Sequence, residues 1–492
     1  MPLPDNGAIW PPRQHDALYR EMRADDAWYS GDRHRLATVY RGQQHREDGR
    51  RRLWARHQHP QPGRHDTRLH IPLPADIATT SADLLFSEPP VFTVTDPATQ
   101  ARLDEITEAG GIANTLLEAA EVGAALGGVF LRVTWDTALA PRPLLTAIHA
   151  DAAAPEFQWG QLAAVTFWRE LPTDSATEVW RHLERHEVGT IVHGLYQGTA
   201  DNLGTRVPLT EHPDTAGLAD SLGPEGDSIP TGLDRLTAAY VPNIRPNRRH
   251  RGSPLGRSDY QGAHDLFDAL DETWSSWLRD IRLARARLIV PDGYLRHHGP
   301  GHGASFDDDR EIWQALAIPP GDSGGAGITL SQFAIRVDEH ERTTAAIMRQ
   351  AVQLAGYSAQ SFGLGDSTAA TATEVTARER RSMITRDKKS RYWAPALADM
   401  LLVMLQLDRA LYTPALTPER PTITFGDSVS EDPQSVAQTL SLLQQAQAVS
   451  TDTKVRALHP DWDDVAVAEE VERILTETGA AVPDPMQAGT LD

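Results

Sequence analysis

Residues 257–287 read RSDYQGAHDLFDALDETWSSWLRDIRLARAR, and this stretch decides the fold class. Leu266, Leu270, Trp274, Trp277 and Ile281 recur at spacings of three and four, which puts them on one face of a helix. Ser258 or Asp259 stands where an N-terminal cap would. With a rise of about 1.5 Å per residue, the helix would run about 45 Å, longer than an ordinary globular helix. Two tryptophans on its apolar face are costly to leave in water, so the helix asks for neighbours.

Downstream, residues 288–338 read as a compact insert with two Gly-rich segments, GPGHG from Gly299 and GDSGGAG from Gly321. A second helix is predicted over about 339–356, ending at Gly356. Residues 358–373 are mostly Gly, Ser, Thr and Ala with little to bury, and read as a mobile loop. A third long helix is predicted over 374–411; Pro395 in its interior removes a backbone bond and predicts a kink. Asp432-Pro433 reads as a helix start, and a last helix follows over about 462–477. Upstream, helices are predicted at 75–86, stopped by Pro89-Pro90, and at 112–126. The period then changes to two. Strands are predicted at 129–135, 163–170, 177–187 and 190–197, the last two joined at Val188-Gly189. Residues 198–235 read as a long loop, and no internal repeat is visible. The class is α+β.

The chain has 492 residues, enough for two to four packing units. It has no cysteine, which excludes disulfides, thiolate catalysis and Cys-based zinc sites. No run of about 18 apolar residues predicts a membrane span. The N-terminus, Met1-Pro2-Leu3-Pro4-Asp5, lacks the regions of a signal peptide. Lys+Arg total 47 against 68 Asp+Glu, a net charge of −21, which argues against a simple DNA-wrapping protein. The lysines are Lys388, Lys389 and Lys454; the other basic residues are arginine. Residues 426–492 hold 13 acidic residues against Lys454, Arg456 and Arg473.

Several motifs invite sharper readings. Gly321–Gly325, GDSGG, copies the surroundings of a serine-protease nucleophile at Ser323. That chemistry also needs a histidine base, a buried carboxylate and an oxyanion hole, and a Gly-rich surface turn between helices is preferred. His182 and His186 lie four apart but alternate with Leu183 and Arg185 as in a strand, so a solvated hairpin face is expected rather than a metal site. His57, His59, His65 and His70 lie among arginines, and a surface or subunit contact is expected of them. Asp307-Asp308-Asp309 reads as a solvated run. There is no GxxxxGK[ST] phosphate cradle, and neither a metal nor a cofactor is expected. Arg378, Arg380, Arg381, Arg386, Lys388, Lys389 and Arg391 form a basic patch that could meet phosphates; pairing with a neighbouring subunit is preferred.

Four strings carry a family resemblance: Ile71-Pro72-Leu73 through Pro89-Pro90; Gly256-Arg257-Ser258-Asp259-Tyr260; Ala355-Gly356-Tyr357-Ser358 through Phe362-Gly363-Leu364 and Thr371–Val375; and Leu458-His459-Pro460-Asp461-Trp462. Their order resembles the portal proteins of tailed bacteriophages, of the siphovirus type. The resemblance implies a portal fold assembled as a ring of twelve. Residues 1–250 would form a mixed α/β wing, 251–287 and 339–357 the two stem helices, and 288–338 a small α/β clip. Residues 358–373 would be the tunnel loop, 374–425 the kinked long wing helix and a following strand, 426–480 an α-helical crown and 481–492 a disordered tail.

The resemblance further implies a structural conduit, not an enzyme, at one capsid vertex, for packaging and ejecting double-stranded DNA. Partners would be the terminase large subunit, the head–tail connector, and the major capsid and scaffolding proteins, with no membrane. The chain would sit in the virion and pass through the host cytoplasm during assembly. Gln360, Ser361, Gly363, Gly365, Ser367, Thr368 and Thr371 would face the DNA, and Trp274 and Trp277 would pack between subunits. A serine hydrolase at Ser323 and a nucleic-acid-binding scaffold at 378–391 are the competing readings.

Overall fold

The computed structural model describes residues 3–47, 68–219, 222, 226–283, 287–289, 296–297, 304–305, 329–331, 335–364, 372–426, 440–442, 445, 448–459, 462 and 464–478. Two compact units emerge: Met1–Asp366 with Glu379–Gly426, and Ser367–Arg378 with Asp427–Asp492.

The first unit opens with α1 (Asp16–Ser30), α2 (Arg33–Glu47) and α3 (Leu73–Phe86). Strand β1 (Val91–Thr93) leads to α4 (Pro97–Ala109). Asp96 caps α4 by accepting from the Thr99 N–H at 2.9 Å, and Pro97 fills the first helical position, where a missing N–H is harmless. Next come α5 (Ile112–Leu126), β2 (Gly128–Thr134), β3 (Leu144–His149), β4 (Ala153–Gln158), β5 (Gln161–Leu171), β6 (Val179–Glu187), β7 (Thr190–Thr199) and β8 (Asn202–Val207). They are followed by α6 (Pro213–Ala219), β9 (Ser228–Pro230), β10 (Ala238–Pro242) and α7 (His264–Leu283). Short strands β11 (Arg287–Ile289), β12 (Arg296–His297), β13 (Ala304–Ser305) and β14 (Thr329–Ser331) precede α8 (Val337–Ala355). Helix α9 (Ala372–Leu411) runs 40 residues and continues through Pro395, and β15 (Thr422–Thr424) closes the unit against β1.

The six-stranded sheet is antiparallel in the order β4-β5-β6-β7-β8, with β9 also on β7; a second sheet runs β10-β2-β3. One apolar cluster gathers Trp28, Phe130, Phe167, Tyr260, Phe267 and Val352. Another gathers Leu103, Leu116, Leu131, Leu397, Leu401 and Met404 on α4, α5, β2 and α9. Asp408, fully buried on α9, accepts from the Arg102 fork at 2.7 and 3.1 Å. In the second unit, Ser450 caps α10 (Thr451–Leu458), and Arg456 bridges Asp452 and Asp464, joining α10 to α11 (Asp464–Glu477).

Three expectations are corrected. First, α7 starts at His264, not 257, so its 20 residues span about 30 Å. Ser258 accepts from the Tyr260 N–H at 3.0 Å and the Asp259 N–H donates to the Ala124 carbonyl of α5 at 3.0 Å, so 257–263 is held in turns rather than in α7. Second, 198–235 is not one loop: it holds β8, α6 and β9. The backbone of β8 finds partners in the distant N-terminal segment, where Leu203 N–H donates to the Ala8 carbonyl at 2.9 Å and Gly7 N–H to the Gly204 carbonyl at 2.7 Å.

Third, the His182/His186 face is buried, not solvated. The β10-β2-β3 sheet covers it: Arg132 pairs with Glu184 at 2.7 Å, Glu184 with His186 at 2.8 Å, and His186 with the Thr237 hydroxyl at 2.6 Å. His182 stacks on His193 at 5.4 Å, their ring nitrogens 3.3 Å apart. The opposite face of β6 packs Leu183 beneath Leu3 and Trp10 of the N-terminal segment.

Candidate functional site

The predicted tunnel loop hangs between α8 and α9, and its base is built by residues on both. Helix α8 ends in a left-handed Gly356, φ 101°. The Gly356 N–H donates to the Gln353 carbonyl and the Tyr357 N–H to the Val352 carbonyl, both at 3.1 Å, which satisfies the last carbonyls and turns the chain sharply. A Cβ on residue 356 would stand 3.0 Å from the Thr385 hydroxyl oxygen. Gly356→Ala is therefore expected to cost about 1–2 kcal/mol in urea unfolding, from the left-handed backbone alone.

Tyr357 then enters a buried polar node. Its hydroxyl donates to Asp259 Oδ2 at 2.8 Å. Lys389, on α9 and 1% exposed, spends its three ammonium protons on Asp259 at 2.6 Å, the Ser81 hydroxyl at 2.6 Å and the Tyr357 hydroxyl at 2.8 Å. Asn243 donates to the other Asp259 oxygen at 2.8 Å. Burial pushes the Lys389 ammonium below its ordinary pKa, and the Asp259 carboxylate opposes that shift. Burial likewise pushes the Tyr357 hydroxyl well up. The node thus ties α3, the turn before α7, the end of α8 and the middle of α9 to one point.

The first part of the loop is fastened rather than free, which corrects the reading of 358–373 as uniformly mobile. The Ser358 N–H donates to the Ser382 hydroxyl at 2.9 Å, Ser361 and Ser382 hydroxyls meet at 2.9 Å, and Thr385 donates to the Gly356 carbonyl at 2.6 Å. Gln360–Phe362 forms one tight turn, with Phe362 and Leu364 packed on the core. Gly363 is left-handed at φ 68°. Gly365, Ser367, Thr368 and Thr371 lie outside the described residues.

The basic patch divides. Lys389 is inside the node, and Arg386 is buried, donating to the Leu84 carbonyl at 2.7 Å and to that of Gly426. Neither can meet a phosphate or another subunit from there, because the helix turns them into the core. Arg380, Arg381, Lys388 and Arg391 are exposed, Arg381 donating to the Gln353 carbonyl at 2.7 Å. The side chain of Arg378 lies outside the described residues.

Trp274 and Trp277 are each half-buried within the single chain, 5.2 Å apart, and Trp277 stacks on His340 of α8 at 5.9 Å. Asp280 of α7 binds His340 at 3.0 Å and Arg336 at 3.1 Å. His70, expected at a surface, packs on Trp28 and binds the buried Asp271 at 2.9 Å. His57, His59, His65, Asp307–Asp309, Ser323 and Asp432-Pro433 lie outside the described residues. Among the described residues no helix is long and apolar enough to cross a membrane.

Two paired helices, short strands between them and a 40-residue helix beside antiparallel sheets make this an α+β protein. Residues 12–484 match the family model of phage portal proteins, SPP1 Gp6-like, and the chain belongs to that family. Among solved structures it resembles a chain of "Virion of native gene transfer agent (GTA) particle", at 14% identity and TM-score 0.43, covering 92% of this chain and 96% of that one. It also resembles a chain of "Neck of native GTA particle computed with C12 symmetry", at 15% identity and TM-score 0.43, covering 92% and 95%. No curated protein matches it in sequence.

Proposed function

We propose that twelve copies of this chain close into a ring at one capsid vertex and pass double-stranded DNA during packaging and ejection. The observation that carries this reading is the family match over nearly the whole chain, together with a loop whose first part is tethered to a long helix. Residues 251–287 and 339–357 act as the stem, 288–338 as the clip that meets the terminase motor and then the head–tail connector, and 426–480 as the crown. Capsid and scaffolding proteins surround the wing, so the chain works in the virion after assembly in the host cytoplasm.

The ring catalyses no reaction; labelling of Ser323 by a serine-reactive phosphonate would contradict that. Twelve copies would carry about −250 charges, a field that discourages DNA from adhering. The small residues of the loop offer weak, sequence-independent contacts instead. Trp274 and Trp277 keep part of their surface for the neighbouring stem, and the exposed Arg380, Lys388 and Arg391 face an acidic neighbour. Deleting 365–371, beyond the tethers of Ser358 and Ser361, is expected to leave ring assembly intact and to abolish DNA packaging into procapsids. Normal packaging by that variant would remove the loop from the DNA path.

A further inference from the structure

Two hairpin tips lie at one end of the six-stranded sheet, and both carry apolar side chains where turn chemistry favours small polar ones. Gln158 pairs with Gln161 across the turn Trp159-Gly160, and Glu187 pairs with Thr190 across Val188-Gly189. Trp159 is 96% exposed and Val188 57%. Trp159 is also the one non-glycine residue with positive φ, 53°, among the described residues. With Gly160 at φ 78°, the tip has the backbone that asks for Asn-Gly. A tryptophan here loses twice in the isolated chain: its backbone is strained, and its largest apolar surface stays in water.

Beside the tips runs a groove of about 610 Å³ lined by Gly160, Val188, Phe157, Leu162, Tyr240 and Tyr392. Its lining also holds Arg235, paired with Asp234 at 3.5 Å, Arg245, which donates to the Pro254 carbonyl, and Arg391, against Asp399, which is held by Arg420 at 2.9 Å. The groove therefore mixes apolar side chains with more arginine than carboxylate, on a chain whose net charge is −21. That chemistry fits an acidic protein surface with an apolar centre, and every other copy of this chain is acidic.

We infer that the Trp159/Val188 end of the sheet, with its groove, is buried against a second copy of this chain, Trp159 being the anchor. The inference rests on the ring reading above and adds a specific contact to it. Trp159→Asn separates the two states of the chain, because it builds the favoured Asn-Gly turn while removing the anchor.

The full-length variant is expected to unfold in urea at the same or a higher midpoint as a monomer. In analytical ultracentrifugation it is expected to need about tenfold more protein to assemble, as loss of a buried aromatic anchor would require. A photo-reactive benzophenone amino acid at position 159 is expected to cross-link to a second copy. Wild-type assembly by Trp159→Asn, or cross-links only to DNA or to a different protein, would overturn the inference and leave the ring reading standing. A wild-type chain that never self-associates would overturn both.

Discussion

Lys389→Met is expected to destabilise the first unit by about 3–5 kcal/mol, the cost of stranding a buried carboxylate. Lys389 is the counter-charge of Asp259, whose side chain has no exposure to water. Methionine fills the stem but returns none of the three hydrogen bonds, leaving Asp259 charged and the Ser81 and Tyr357 hydroxyls short of a partner. Adding Asp259→Asn removes the stranded charge, so the double variant is expected to recover about 1–3 kcal/mol relative to additive single effects. Urea unfolding of the four chains in a double-mutant cycle measures this. Strict additivity would mean that the node is not a coupled unit. Because Tyr357 leads straight into the tethered loop, the single variant should also raise protease sensitivity around 358–364.

Acidification is expected to act on the six-stranded sheet. Burial lowers the pKa of His182 to about 4, with the neighbouring His193 adding to the effect. Burial also lowers His193 to about 4, against the pull of Glu184. Both rings are therefore neutral in the folded chain at pH 6, where the unfolded chain already binds protons. The unfolded state holds more protons between the two pKa values, so this contribution is complete above pH 6.5 and falls as pH drops from 6.5 to 4. The loss is about 3 kcal/mol for one ring and about 3–6 kcal/mol for the shared pair. Urea midpoints at pH 7 and pH 5 should differ more in the wild type than in His193→Phe, which keeps a ring but cannot titrate. Equal shifts in the two proteins would contradict the assignment.

Local pattern carried most of the helices and the hairpins. The end of α8 at Gly356 and the turn at Val188-Gly189 were legible because each follows from short-range chemistry. What was not legible depended on partners far along the chain. Asp259 has the composition of a helix cap, yet its carboxylate meets Lys389 across 130 residues. Strand β8 has few apolar residues to announce it and is completed by backbone from residues 7–9. The His182/Glu184/His186 face looks solvated in one strand and is buried because Arg132 of β2 pairs with Glu184 and Thr237, just before β10, hydrogen-bonds His186.

The sequence does carry one signal for the node. In a chain whose basic residues are nearly all arginine, a lysine at 389 marks a site that wants a compact three-proton donor rather than a planar fork. The basic patch around it is ambiguous in sequence for the complementary reason. Charge counted along a sequence says nothing of which helical face it occupies, and Arg386 and Lys389, three apart, both lie on the buried one.

The proposed function requires that this chain close into a ring that conducts DNA. Electron microscopy of the purified full-length chain, with symmetry determined from end-on views, tests it most directly. Closed rings of twelve with an open centre wide enough for a DNA duplex are expected. Monomers alone under assembly conditions, or assemblies with no central opening, would contradict it.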